Sequence, residues 1–383
     1  MVSEGSGMFY RRLGVRRVIN AGSWLTVLGG SIMPPAVIKA MEDASRWFVD
    51  MNELNAKAGE VIARLTGAEA GLVTSGSAGG MLLQAAACMT GDDPAKAHRL
   101  PETNGMKNEI ILHRAHLVNY EHNYRAAGAK QVHIGNVSAT HEWELESAFN
   151  ENTAAVAYII GPRQGGALPL SRVIDMAHDH GVPVILDAAG MLPPVENLTR
   201  FVELGVDMVS FSGGKGILGP QSTGILCGRR DLIEAAYLNS APNSTSVGRA
   251  AKVCKEEIAG LITALELFVD TDHEAVAAGW RAKCRHVVSE LQDIPGVRAE
   301  LREATPEHDE YESNYPRAFV LFDRSWNGPS SVVVMERLKD GDPSIRVREA
   351  EFTGGISIIP VALQDGEEEI IAQRLREILT GAG

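Results

Sequence analysis

No apolar run in this sequence reaches the roughly 18 residues needed to cross a bilayer, so no membrane span is predicted. The first ten residues, MVSEGSGMFY, lack the charged and apolar regions of a secretory signal. Cysteine is scarce. Cys88, Cys227, Cys254 and Cys284 are scattered and form no C-x-x-C, which fits free thiols in a reducing cytoplasm. Basic clusters are absent apart from Arg11, Arg12, Arg16 and Arg17, against a formal net charge of −13. A polyanion ligand needs a concentrated basic patch, so a small-molecule partner is expected rather than nucleic acid. The Gly-Gly-Lys-Gly at 213–216 lacks the G-x-x-x-x-G-K-[ST] spacing of a P-loop. There is no internal repeat and no low-complexity stretch.

What is present is 383 residues with 45% hydrophobic content, enough for one large and one small α/β domain. The chain is organised around residues 182–228. An apolar run, 182–186, ends at Asp187; a second, 208–211, ends in Ser212-Gly213-Gly214-Lys215-Gly216. Both have the length and branching of buried parallel strands. Ligands of open α/β sheets sit beyond the carboxyl ends of the strands, so Asp187 and Lys215 are expected on one rim. A lysine amine that forms a Schiff base, with an acid for a pyridinium nitrogen, is the pairing that pyridoxal phosphate requires. The glycines beside Lys215 would let the backbone pass close to such a cofactor, and Ser212 would hydrogen-bond its phosphate. Taken alone, the glycine-rich turn also reads as a surface loop with a solvated lysine.

Upstream, a short strand at 72–74 runs into Ser75-Gly76-Ser77 and an apolar helix, 81–89. Free N–H groups and the helix dipole at such a turn favour phosphate, although Ser and Gly also make plain helix caps. Residues 91–108 are turn-rich and read as an insertion or lid. A strand at 110–112 ends at His113 and His116, and a helix is expected over 117–127. After the strand at 154–160, Arg163 and Gln164 either touch substrate or belong to a plain glycine-rich connection. A return strand of antiparallel type is expected at 225–227. In the C-terminal region, Arg346 and Arg348 alternate along one expected strand, which puts them on one face. By pattern alone they read as an exposed pair salt-bridged to Glu349 or Glu351. The acidic residues 307–312 read as a solvated loop. The domains predicted are an irregular N-terminal arm (1–33), a large cofactor domain (34–245) and a small α/β domain (246–383).

The strand ending at Asp187, the loop SFSGGKGILGPQSTGILCG and the early Arg17-Val18-Ile19-Asn20-Ala21 carry a resemblance. From about Arg11 onward the chain resembles the fold-type I pyridoxal phosphate enzymes related to bacterial selenocysteine synthase (L-seryl-tRNA selenium transferase), a group that includes D-glucosaminate-6-phosphate ammonia-lyase-like proteins. The resemblance implies an aspartate aminotransferase-like fold, with a mostly parallel large-domain sheet and a smaller C-terminal α/β domain. It implies Lys215 and Asp187 as catalytic residues and Ser75, Gly76, Ser77 and Ser212 around the phosphate. His116 would stack on the ring, with His113 the rival for that place, while Asn20 and Arg348 would bind substrate. It also implies a homodimer or higher assembly in the cytoplasm. The expected reaction is α,β-elimination of a β-hydroxy amino acid to a 2-keto acid and ammonia, a lyase activity. Racemase and aldolase chemistry are the alternatives on the same scaffold. A β-replacement on aminoacyl-tRNA is disfavoured by the acidic charge and by a chain that begins almost directly at the shared core. A non-catalytic cofactor-binding protein is disfavoured by the presence of Lys215 together with Asp187.

Overall fold

The computed structural model describes residues 8–160, 165–303, 315–350 and 354–381. They form two compact units. One is continuous, Ser31–Thr271, and the other joins the residues before Gly30 to those after Asp272.

The continuous unit is built on a seven-stranded sheet. Its spatial order is Ala70–Thr74, Gly224–Gly228, Met208–Ser212, Val184–Asp187, Thr153–Ile159, Glu109–His113, Lys130–Ile134. Only Gly224–Gly228 runs antiparallel to its neighbours, as expected for the return strand. The strands Glu109–His113, Thr153–Ile159 and Val184–Asp187 are buried at every position. Their near-continuous apolar sequences follow from helices covering both faces of a parallel sheet. Alternation still operates: Val184 and Leu186 enter one core layer and Ile185 the other.

Helix Met51–Thr66 starts where Asp50 accepts from the N–H groups of Asn52 and Glu53, and it stops at Gly67, held at φ 68°. Helix Lys255–Asp270 packs against helix Pro35–Ser45 in this same unit. Its Ile258, Leu261, Ala264, Leu265 and Phe268 join the large core. The unit therefore closes at 271, and the boundary expected at 245 is corrected: the apolar face of this helix completes the larger core. Residues 91–108 are also not a lid. They contain helix Pro94–Arg99, capped by Asp93, and bury Ala97, Leu100 and Met106 in the core. The helix expected over 117–127 is a single short one, His122–Ala126.

In the second unit, the arm is not irregular throughout. Strand Val18–Asn20 pairs in parallel with Ser344–Arg346. A four-stranded antiparallel sheet has the order Arg348–Ala350, Gly355–Ile358, Arg317–Phe322, Val297–Arg302. Helices His273–Ser289, Ser331–Asp340 and Glu367–Thr380 contribute to its core. Arg346 thus ends one strand and Arg348 begins another in a different sheet, which corrects the single-strand reading of the pair. Among the described residues, no helix is long and apolar enough to cross a membrane.

Candidate active site

Strand register assembles the rim. Asp187 pairs with Ile159 on one side and Ser210 on the other. Two residues on, Ser212 pairs with Gly224, and Gly224 pairs with Thr74. The acid, the start of the lysine loop and the start of the Ser75 turn therefore lie on one edge of the sheet.

Asp187 is 5% exposed. Burial raises its pKa; the positive charge of Lys215 and an N–H donated by Ala189 at 3.1 Å act against that rise. Lys215 is half-buried, and its carbonyl accepts from the Leu218 N–H at 2.9 Å. Its Nζ lies 3.9 Å from where a Cβ on Gly190 would stand. A Cβ on Gly214 would collide with the backbone of Gln221, and one on Gly216 with the carbonyl of Leu192. These loop glycines thus let the chain pack closely on itself, which holds the lysine in place.

Helix Gly76–Thr90 begins at this rim, and Ser75, at its N-cap, makes no side-chain capping bond. Gly76 sits at φ 65°, a conformation that favours glycine. Its carbonyl accepts from Thr74 Oγ1 at 2.9 Å, and the carbonyl of Ser77 accepts from Ser210 Oγ at 3.2 Å. The neighbours hold the turn by its carbonyls, and the Ser75 side chain leaves the first N–H groups of the helix uncapped. Ser212 is half-buried at the end of its strand.

His116 is 2% exposed. Its Nδ1 accepts the Ile159 N–H at 3.4 Å, so the proton is on Nε2 in the neutral ring. Nε2 has no partner among the described residues. Burial pushes its pKa down to about 3. Tyr158 packs edge-on against it, ring centroids 4.4 Å apart, and donates its own hydroxyl to the Leu168 carbonyl at 3.1 Å. His113 is fully buried, 5.0 Å from His116 between ring centroids, and neither of its nitrogens has a partner among the described residues. Burial pushes its pKa down to about 4. Of the two, His116 has a ring nitrogen bonded to the strand residue beside Asp187. Among the described residues no three His, Cys, Asp or Glu side chains gather as a metal set.

In the second unit, Asn20 donates to the Ser23 carbonyl at 2.7 Å and accepts from the Gly22 N–H at 3.0 Å. Arg348 Nε donates to the Gly22 carbonyl at 3.0 Å, so the structure brings Asn20 and Arg348 onto one turn. Arg163 and Gln164 lie outside the described residues, as do 307–312. Sequence reasoning missed Tyr158, Gln84 and Tyr124. The available signal was a polar or phenolic side chain in an otherwise apolar segment.

The rim fits pyridoxal 5'-phosphate on its own chemistry. A buried carboxylate calls for a cationic partner such as a protonated ring nitrogen. An uncapped helix N-terminus suits a phosphate, and an imidazole beside the acid offers an unused N–H.

The family described as aminotransferase class-V matches residues 97–311, over half of the chain. The chain is 33% identical to a 5'-C-glycyluridine monooxygenase-decarboxylase from Streptomyces sp, across 98% of this chain and 93% of that protein. It is 33% identical to the D-glucosaminate-6-phosphate ammonia lyase of Salmonella typhimurium, across 96% of this chain and 97% of that protein. An L-seryl-tRNA(Sec) selenium transferase from Aquifex aeolicus is 26% identical, across 74% of this chain and 67% of that protein. A solved structure of D-glucosaminate-6-phosphate ammonia-lyase superposes with a TM-score of 0.86 at 32% identity, covering 98% of this chain and 99% of that one. The resemblance carried by the Asp187 strand and the lysine loop therefore holds, and the chain belongs to the class-V aminotransferase family as a pyridoxal 5'-phosphate-dependent enzyme of fold type I.

Proposed function

We propose that the protein is an ammonia-lyase acting on a small β-hydroxylated α-amino acid, releasing a 2-keto acid and ammonia. The likeness to an ammonia lyase along nearly the whole chain carries this reading, supported by Asp187 and the lysine loop lying on one rim. When bound, pyridoxal phosphate supplies an electron sink for the charge that develops at the substrate Cα. Asp187 holds the ring-nitrogen proton, and Lys215 Nζ takes the proton from Cα. Hydroxide then leaves Cβ with a proton, as water. The released enamine takes up a water and gives keto acid and ammonia, so the balance closes with no net water. The N–H groups of Gly76, Ser77 and Ala78, with the hydroxyls of Ser75, Ser77 and Ser212, hold the phosphate. His116 packs on the ring face and stays neutral there. Arg348 binds the substrate carboxylate and Asn20 shapes the turn beside it.

The proposal extends to a cytoplasmic homodimer or larger assembly without nucleic acid. Trp47 and Phe48 are 72% and 102% exposed, apolar surface of the kind that oligomers cover.

The test is one incubation in D2O of protein, pyridoxal phosphate and a panel of D- and L-amino acids that includes β-hydroxy and amino-sugar acids. Keto acid and ammonia, lost in Lys215→Ala, support the lyase. Deuterium at Cα with both enantiomers and no keto acid would make it a racemase. Cleavage to glycine or alanine plus an aldehyde would make it an aldolase. The equal identity to a monooxygenase-decarboxylase favours a second reading, which oxygen uptake with carbon dioxide release would establish.

A further inference from the structure

Behind Asp187 lies a polar layer that the chemistry above does not use. Tyr124, on the short helix His122–Ala126, is wholly buried, and its hydroxyl has no partner among the described residues. Gln84, on helix Gly76–Thr90, is also wholly buried. Its Nε2 donates to the carbonyls of Leu186 and Met208, both at 3.1 Å. Leu186 precedes Asp187, and Met208 opens the strand that leads to Lys215. Gln84 Oε1 has no partner among the described residues.

The two groups share a location. Cys88 is one helical turn beyond Gln84, on the same helix face. Burial raises the pKa of the Tyr124 phenol, and the Asp187 carboxylate adds to that rise. Helices Gly76–Thr90 and His122–Ala126 pack together. Tyr124 shares its core layer with Ile185, which lies on the same face of its strand as Asp187, and it packs there against the helix that carries Gln84. A buried hydroxyl without a partner is destabilising, and phenylalanine would fill the same space without that cost. The same holds for a buried amide oxygen. Here one orphan is a donor and the other an acceptor.

We propose that Tyr124 and Gln84 hold one buried water against the Asp187 carboxylate, which makes Tyr124 a positioning residue for that acid. The phenol donates to the water. The water donates one hydrogen to Gln84 Oε1 and the other to Asp187, filling three of its bonding directions. The carboxylate is then braced from behind while its other side stays open to the rim. The inference rests on Asp187 serving the ring nitrogen, as proposed above, but not on the reaction that follows.

The experiment combines apo-protein thermal unfolding with a cofactor-binding cycle over wild type, Tyr124→Phe, Asp187→Asn and the double variant. With the water in place, Tyr124→Phe lowers the apo melting temperature. It also weakens pyridoxal phosphate binding by about tenfold to a hundredfold, the loss of one hydrogen bond to a charged group. In the Asp187→Asn background that weakening shrinks to within about twofold. An apo melting temperature that rises in Tyr124→Phe would mean a plain orphan hydroxyl and overturn the proposal. So would equal weakening in both backgrounds, because Tyr124 would then not act through Asp187. Failure to find a substrate leaves both readouts intact, so the two proposals fail separately.

Discussion

Gly224 offers a lever on the phosphate end of the site that touches neither Lys215 nor Asp187. A Cβ built on Gly224 would stand 2.5 Å from the carbonyl carbon of Gly76 and 2.8 Å from the nitrogen of Ser77. Ordinary contact begins near 3.4 Å, so Gly224→Ala pushes the turn aside by about 0.6–0.9 Å, a small-to-large change inside a packed region. An N–H bonded to phosphate at about 2.9 Å would be displaced beyond about 3.5 Å, where the bond is lost. Losing two such bonds to a charged group, at about 1.5–3 kcal/mol each, weakens binding by roughly a hundredfold or more. Fluorescence titration of the apo protein with pyridoxal phosphate and, separately, with phosphate-free pyridoxal reads this directly. Pyridoxal affinity is expected to change little. Equal loss for both ligands would refute the assignment of this turn to the phosphate. No loss for either would show that the turn yields without consequence.

His116→Phe is expected to keep pyridoxal phosphate affinity within about threefold and His116→Ala to lose about tenfold, because ring stacking contributes about 0.5–1.5 kcal/mol; the same titration checks both. His113 has its pKa lowered to about 4 in the fold. The unfolded chain, with a histidine near 6.5, binds more protons between those values, so stability falls as pH drops through that window. Removing the group in His113→Phe is expected to flatten that acid limb by up to about 3 kcal/mol, measured by denaturant unfolding from pH 7 to 4. Asp187 has the opposite sign. Its pKa is raised by burial, so the apo fold holds a proton that the unfolded chain has lost, and stability falls as pH rises from the usual aspartate range through the folded value. Asp187→Asn is expected to raise the apo melting temperature at pH 7, and the gain should shrink toward pH 4. A constant gain across that range would contradict the linkage.

The candidate site, as a place in the fold, was legible in the sequence where chain-local signals coincide. Two apolar runs, each ending in a polar group, place Asp187 and Lys215 at one rim, because parallel strands covered on both faces present polar groups only at their ends. The Ser75 turn was legible for a similar reason, a strand followed at once by small residues and a helix. Register was not legible. Nothing in PSIRVRE says that Arg346 belongs with Asn20, which is remote in sequence, while Arg348 turns away to pair with Ser357 in another sheet. The unit boundary was misread for the same reason: the partner of helix Lys255–Asp270 is Pro35–Ser45, some two hundred residues earlier. The loop glycines suggested access for a ligand, whereas their sharpest constraint is the chain's own backbone at Gln221 and Leu192.

The parallel pairing of Val18–Asn20 with Ser344–Arg346 bears on how the chain is made. Synthesis delivers the N-terminal strand first and its partner more than three hundred residues later. Domains generally fold as units while the chain emerges, and Ser31–Thr271 can do so without waiting for the rest. Ile19 and Ala21, buried in the core of the other unit, have no place there until the strand Ser344–Arg346 has been made. The strand Val18–Asn20 is thus made well before its partner and housed only when that partner arrives.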